Sequence, residues 1–131
     1  MKDLIIYHSP CMDGAWAACA AASGLDNLEH TTFHPAKYGD PPPPFGGYDR
    51  IFVVDFSYEA AVFAAMLESC DTVWFIDHHG TARRSASEAA ALGVRVVFNE
   101  AHSGAFLAWE AFHATPVPLP IRYVEDRDLW K

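Results

Sequence analysis

The chain has no apolar run near the ~18 residues that a membrane-crossing helix requires. Its opening segment, MKDLIIYHSP, lacks the apolar core and small-residue cleavage site of a secretory signal. A soluble cytoplasmic protein with no membrane partner is the expectation. Cysteine is scarce: Cys11, Cys19 and Cys70 are odd in number and form no CxxC pair, which argues against a disulfide framework. Cys19 and Cys70 read as small buried apolar residues on helices. Basic residues are scarce as well. Nine Lys and Arg face 17 Asp and Glu, a formal charge of −8, so the basic stripe with which proteins hold long duplex nucleic acid is missing. Length is the last limit, because 131 residues make one domain, residues 1–131, and leave no room for a second.

What the chain does have is apolar sequence in short blocks, half of its residues being hydrophobic at 51%. Asp3 to Tyr7, Arg50 to Val54, Thr72 to Ile76 and Val94 to Phe98 are nearly continuous apolar runs without period-two alternation, the pattern of strands covered on both faces. Glu29 to Phe33 is a weaker strand. Helix-favouring stretches lie between and after them, at Ala15–Ser23, Tyr58–Ser69, Ser85–Leu92 and Ser103–Phe112, and Pro120 opens a last short helix carrying Tyr123 to Asp128. His34 to Gly47, with Pro35 and the run Pro41 to Pro44, reads as a stiff surface loop. Strands alternating with helices predict an α/β fold, a Rossmann-like parallel sheet of about five strands with helices on both faces.

Ligands of open α/β sheets bind beyond the carboxyl ends of the strands, and polar residues collect there. The first strand is followed by His8, Cys11 and Asp13, the next long one by Asp55, the third by Asp77, His78 and His79, and the fourth by Asn99, Glu100 and His102. Carboxylates crowded at four strand ends repel unless protons or cations intervene, and mixed carboxylate and imidazole donors suit hard or borderline divalent ions. Two such ions can activate a water and hold phosphoryl oxygens for in-line attack. An Asp behind a strand can equally be a turn or helix cap. It is the joint arrangement that points to phosphoester hydrolysis. Cations in the cluster also reconcile an acidic chain with a phosphate substrate.

These residues resemble the DHH phosphoesterases. Asp77-His78-His79-Gly80-Thr81-Ala82 is similar to the signature triplet and its flank, YHSPCMDGAWAA to the first motif, VVDFS to the second, and NEAHSGAFLAW and VEDRDLW to later blocks, so the likeness runs from Tyr7 to Trp130. The resemblance implies a metal-dependent phosphoesterase acting on a small nucleotide or a short single-stranded oligonucleotide. It implies two divalent ions, Mn2+ foremost, with Mg2+, Co2+ or Zn2+ as substitutes. His8 and Asp55 would hold the first ion, and Asp13, a bridging Asp55, His78 and an acid of the last motif the second. Asp126 is preferred as that acid and Asp128 is the alternative. Asp77 would ligate or orient His78, His79 would meet the substrate phosphate, and Ser103 and Gly104 would offer a helix N-terminus to an anion, although Ser103 also reads as a plain N-cap. Trp16, Trp109 and Trp130 are stacking candidates beside a more ordinary core role.

The sequence departs from the family in two respects. Cys11 stands where the first motif carries an earlier acid, and its thiolate could ligate a softer ion. The substrate-gripping second domain of most relatives is missing, which suggests a minimal member, a fragment, or a cleft completed by a homodimer mate or partner chain. The alternatives to a nucleotide phosphoesterase are a non-catalytic metal- or nucleotide-binding module and, more distantly, an inorganic pyrophosphatase.

Overall fold

The structure, a computed structural model, describes residues 1–129. Five strands, β1 (Asp3–His8), β2 (Thr31–Ala36), β3 (Arg50–Val54), β4 (Thr72–Asp77) and β5 (Arg95–Phe98), form one sheet in the order β2-β1-β3-β4-β5 with every pairing parallel. Five α-helices join or follow them: α1 (Met12–Leu25), α2 (Ala60–Ser69), α3 (Arg83–Leu92), α4 (Gly104–Phe112) and α5 (Leu119–Asp128). From β1 the chain crosses one way to β2, and from β3 it runs the other way through β4 to β5. Right-handed crossovers therefore place α1 on one face and α2 and α3 on the other.

The core has two halves because successive strand residues point to opposite faces. Leu4, Ile6, Ile51, Val53, Val73 and Phe75 meet Phe63, Met66, Ala86 and Ala89 of α2 and α3. Ile5, Phe52, Val54 and Ile76 meet the alanines of α1, with Ala105, Leu107, Ala108 and Ile121 of α4 and α5. Both sides of each central strand are apolar for this reason. Phe63 stacks on Phe75 with centroids 4.6 Å apart, and truncating either ring to Ala would remove roughly 3–5 kcal/mol of packing. Among the described residues no helix is long and apolar enough to cross a membrane.

Three local expectations change. β2 continues through Pro35 to Ala36, where a loop is expected. It is an edge strand bonded only to β1, and an edge tolerates a residue without an N–H. Helix α1 starts at Met12 rather than Ala15, so Asp13 lies in its first turn. Cys19 is exposed on the outer face of α1 and Cys70 is only part-buried.

Early entry into α1 requires Gly14. A Cβ there would stand 2.0 Å from the His8 carbonyl oxygen, so only glycine lets the helix begin so close to the end of β1. Gly14→Ala should lower stability by at least the ~1–3 kcal/mol of an overpacked core, read as a fall in the urea midpoint. By pushing Asp13 outward it should also weaken Mn2+ binding. A midpoint equal to wild type would show that α1 does not depend on this approach.

Candidate metal centre

The topological switch point lies between β1 and β3, where bound groups are expected in this strand order. His8 ends β1, Asp55 follows β3, and Asp77 ends β4 with His78 and His79 behind it. Asp55 is fully buried and takes φ 54, a left-handed conformation uncommon outside glycine that often marks functional backbone. Its N–H donates to the Ile76 carbonyl at 2.8 Å, and its carboxylate packs against the start of α4. A Cβ on Gly104 would lie 2.6 Å from Asp55 Oδ1.

One imidazole nitrogen sits among three carboxylates. His78 Nε2 is 3.0 Å from Asp55 Oδ1, 3.2 Å from Asp13 Oδ2 and 3.5 Å from Asp128 Oδ2. A single N–H cannot satisfy three acceptors, whereas ligand atoms around a cation converge in this way. Asp13 is further fixed by Gly104 N–H at 2.9 Å and Ala105 N–H at 2.8 Å. Asp77 Oδ1 accepts from His78 N–H at 2.8 Å and pairs with His79 Nδ1 at 2.7 Å. Among the described residues two buried atoms, His8 Nδ1 and Asp77 Oδ2, have no hydrogen-bond partner, which is rare for buried polar groups.

Asp3 is a useful contrast. It is equally buried at the opposite end of the sheet and holds Arg50 at 2.6–2.7 Å and Asn27 at 2.8 Å. Among the described residues, the ion pairs of the Asp13, Asp55, Asp77 and Asp128 cluster use histidine alone. The donor atoms fall into three groups, each within 4.8 Å: Asp55, Asp77, His78 and His79; His8, Cys11 and Asp55; and Asp13, His78 and Asp128. Asp55 and His78 each belong to two of them. This donor set, with its orphaned His8 nitrogen and Asp77 oxygen, fits divalent cations.

Ionisation follows from the crowding. Burial and the adjacent Asp13 raise Asp55 to about 7. Burial opposes charge on His78, but hydrogen bonds to Asp13 and Asp55 outweigh it and lift the imidazole to about 10. Asp13 moves the other way: burial resists its charge, yet His78 and the Ala105 N–H hold it below its ordinary value. Burial, then Asp13, raises Asp128. Burial, then His79, lowers His8, leaving its lone pair available. His79 is raised by Asp77, and the Cys11 thiol is pushed up by burial.

These shifts fix the sign of a pH effect. His78 binds its proton more tightly folded than unfolded, so its stabilisation is complete below about 6.5 and lost as pH rises towards about 10. A raised carboxyl also costs stability as pH rises, here between 3.8 and about 7 for Asp55. Divalent cations favour the ionised carboxylates and the neutral imidazole. With chelator, the melting temperature should therefore fall from pH 6 to pH 9, and Mn2+ should raise it most at the alkaline end. Parallel curves with and without Mn2+ would contradict the assignment.

Comparison with known proteins adds the fold and little beyond it. No protein-family model matches the chain. It is 24% identical over 142 residues to an uncharacterized protein of Acanthamoeba polyphaga mimivirus, an alignment covering 98% of this chain and 33% of the relative. It superposes on the crystal structure of an uncharacterized protein from Helicobacter pylori with a TM-score of 0.73 at 13% identity, over 100% of this chain and 44% of the other. The chain thus spans about a third of the curated relative and under half of the solved structure.

The structure brings together His8, Cys11, Asp13, Asp55, Asp77, His78, His79 and Asp128, and corrects the remaining candidates. Asp126 is exposed and belongs to none of the donor groups, because residues two apart on a helix face away from one another. Asp128, the alternative of the two acids, is the one that the fold brings to His78, at 3.5 Å. Ser103 and Gly104 are buried and already used: Ser103 Oγ caps Phe106 N–H at 3.2 Å, its own N–H donates to Glu125 Oε2 at 3.0 Å, and Gly104 N–H serves Asp13. The α4 N-terminus therefore holds a protein carboxylate rather than an outside anion. The β5 end also leaves the cluster, since Glu100 pairs with Arg83 and His102 with Glu125.

Of the tryptophans, Trp109 packs on the core and stacks on His113 with centroids 3.5 Å apart, Trp16 stays partly exposed on α1, and Trp130 lies outside the described residues. Two contributors were not foreseen. Glu125 is buried where it ties α5 to Ser103 and His102, and its place three residues before Asp128 was the available signal. Tyr38 faces the cluster from beyond β2, its phenol pushed up to about 12 by burial and by Asp77. Only the sheet order could have revealed it.

Asp128→Asn should weaken Mn2+ binding about 10–100-fold by calorimetry, and Asp126→Asn should leave it near wild type. The reverse ranking would restore Asp126 as the ligand.

Proposed function

We propose that the chain is a metal-dependent phosphoesterase of the DHH type, hydrolysing phosphoesters of a nucleotide or short oligonucleotide. The observation that carries this reading is the double membership of Asp55. One buried carboxylate serves the His8 and Cys11 group and also the Asp77, His78 and His79 group, the arrangement a bridging ligand requires. His8, Cys11 and Asp55 would hold one ion, and the other would lie among Asp13, Asp55 and Asp128, all 3.0–3.5 Å from His78 Nε2, with the orphaned oxygen of Asp77 beside them. Mn2+ suits the mixed donors, Mg2+, Co2+ and Zn2+ are candidates, and a thiol at Cys11 favours the softer of these. Such cations supply Lewis acidity that lowers the pKa of water and neutralises phosphoryl charge.

The chain's own groups do the rest. The bond from His79 Nδ1 to Asp77 leaves Nε2 for a phosphoryl oxygen, and Asp77 raises the pKa of the ring, which favours the protonated form in which such a contact is charge-assisted. The two amides of α4 preserve the charge of Asp13 where a crowded acid would otherwise take up a proton.

With Mn2+ and the p-nitrophenyl ester of thymidine monophosphate, the protein should release nitrophenol. Asp55→Asn and His78→Ala should each lose at least about 100-fold, more than the ~10–100-fold of an outer-shell group. Undiminished release in both variants would sink the proposal. A second reading is favoured by Cys11, whose Sγ lies 3.6 Å from Asp55 Oδ2 where the resemblance calls for an acid. It is a metal- or nucleotide-binding module without turnover, which calorimetric binding without product across a phosphoester panel including pyrophosphate would support. In either case a further segment, a second copy or a partner chain would complete the cleft, in keeping with the short share of the relatives that this chain spans.

A further inference from the structure

The carboxyl end of β2 carries an aromatic group that neither the core nor the metal centre uses. Lys37 to Asp40 form a tight turn closed by Asp40 N–H to the Lys37 carbonyl at 3.2 Å, with Gly39 at φ 97. This turn fixes Tyr38 next to the strand end. One face of its ring stacks on Phe56, centroids 4.2 Å apart and planes 18° apart, and Phe56 is itself 1% exposed and braced by Tyr58 at 5.1 Å. Yet Tyr38 remains 55% exposed. A core tyrosine is not left so open, and a loose surface tyrosine is not clamped from behind. The same ring lies 5.5 Å from the ring of His8, a ligand of the proposed first ion.

We infer that the free face of Tyr38 is a stacking platform for the base of a nucleoside phosphate whose phosphate lies beside His8 and His79. A base on that face would extend the stack already begun by Phe56 and Tyr38. Because the turn and Phe56 hold the ring beforehand, little side-chain freedom is lost on binding. Stacking reads a π face and no particular edge, so any base would be accepted. The substrate class becomes phosphoesters carrying a nucleobase, in preference to sugar phosphates alone. The inference rests on the metal-centre reading only for the position of the phosphate.

Two probes that share a phosphate and a ribose separate the questions. Adenosine 5′-monophosphate and ribose 5-phosphate are titrated into the Mn2+-loaded protein by calorimetry, and phosphate release from each is followed. Wild type should bind the nucleotide about tenfold or more tightly than the sugar phosphate. Tyr38→Ala should bring the two to parity, with the loss falling on KM rather than kcat, and Tyr38→Phe should retain the preference. Equal binding of both probes by wild type, a preference that survives Tyr38→Ala, or a loss in Tyr38→Phe as large as in Tyr38→Ala would each overturn the platform. A Tyr38-dependent preference without phosphate release would support the platform and count against hydrolysis of phosphomonoesters, leaving the nitrophenyl diester to decide the hydrolase. Release from both probes at equal KM would support the hydrolase and overturn the platform.

Discussion

Three carboxylates share one imidazole nitrogen in the interior of this protein, and most of what surrounds them serves to hold that crowded arrangement. Asp13 and Asp55 are almost wholly out of water, where isolated negative charge is costly. Asp3 solves the same problem in the ordinary way, with an arginine. Among the described residues the cluster has no such partner in its ion pairs and relies on His78, on the two N–H groups at the start of α4, and on the raised pKa of Asp55. Around it the backbone has given up side chains and comfortable geometry. Gly14 and Gly104 have no Cβ because there is no space for one, and Asp55 takes a left-handed conformation.

The sheet was legible because burial on both faces leaves a simple trace. Runs such as Ile51 to Val54 and Val73 to Ile76 carry no polar alternation, and the acids that end them mark the edge where the chain turns. β2 was less legible, since an edge strand is held to fewer rules and Pro35 resembles a break. The candidate residues of β1, β3 and β4 could be placed together from sequence because a strand end specifies one location. Asp128 could not be placed securely, because the last motif offers two acids two positions apart, and only the packing of α5 shows which of them turns towards His78.

Ser103 and Gly104 illustrate another limit. The sequence correctly marks a helix start with donors to offer, but it does not say which acid receives them, and here the recipient comes from α1, 91 residues away in the case of Gly104. The polar residues after β5 misled for a related reason. They lie at a strand end of the right kind but are drawn into separate pairs with Arg83 and Glu125. Sharing an edge is necessary for joining the centre and does not suffice.

Asp128 sits at the carboxyl end of α5, the last described helix, and it meets His78 and Asp13 across the molecule. During synthesis on the ribosome every other residue of the cluster emerges before it. The α4 amides that hold Asp13 are therefore made before the acid that completes the cluster, and on the proposed reading ion capture would be a late event in the life of the polypeptide. A chain stalled after α4 would lack both Ile121, which is buried against the sheet, and Asp128, which meets His78, so packing and the proposed chelate would be completed by the same helix.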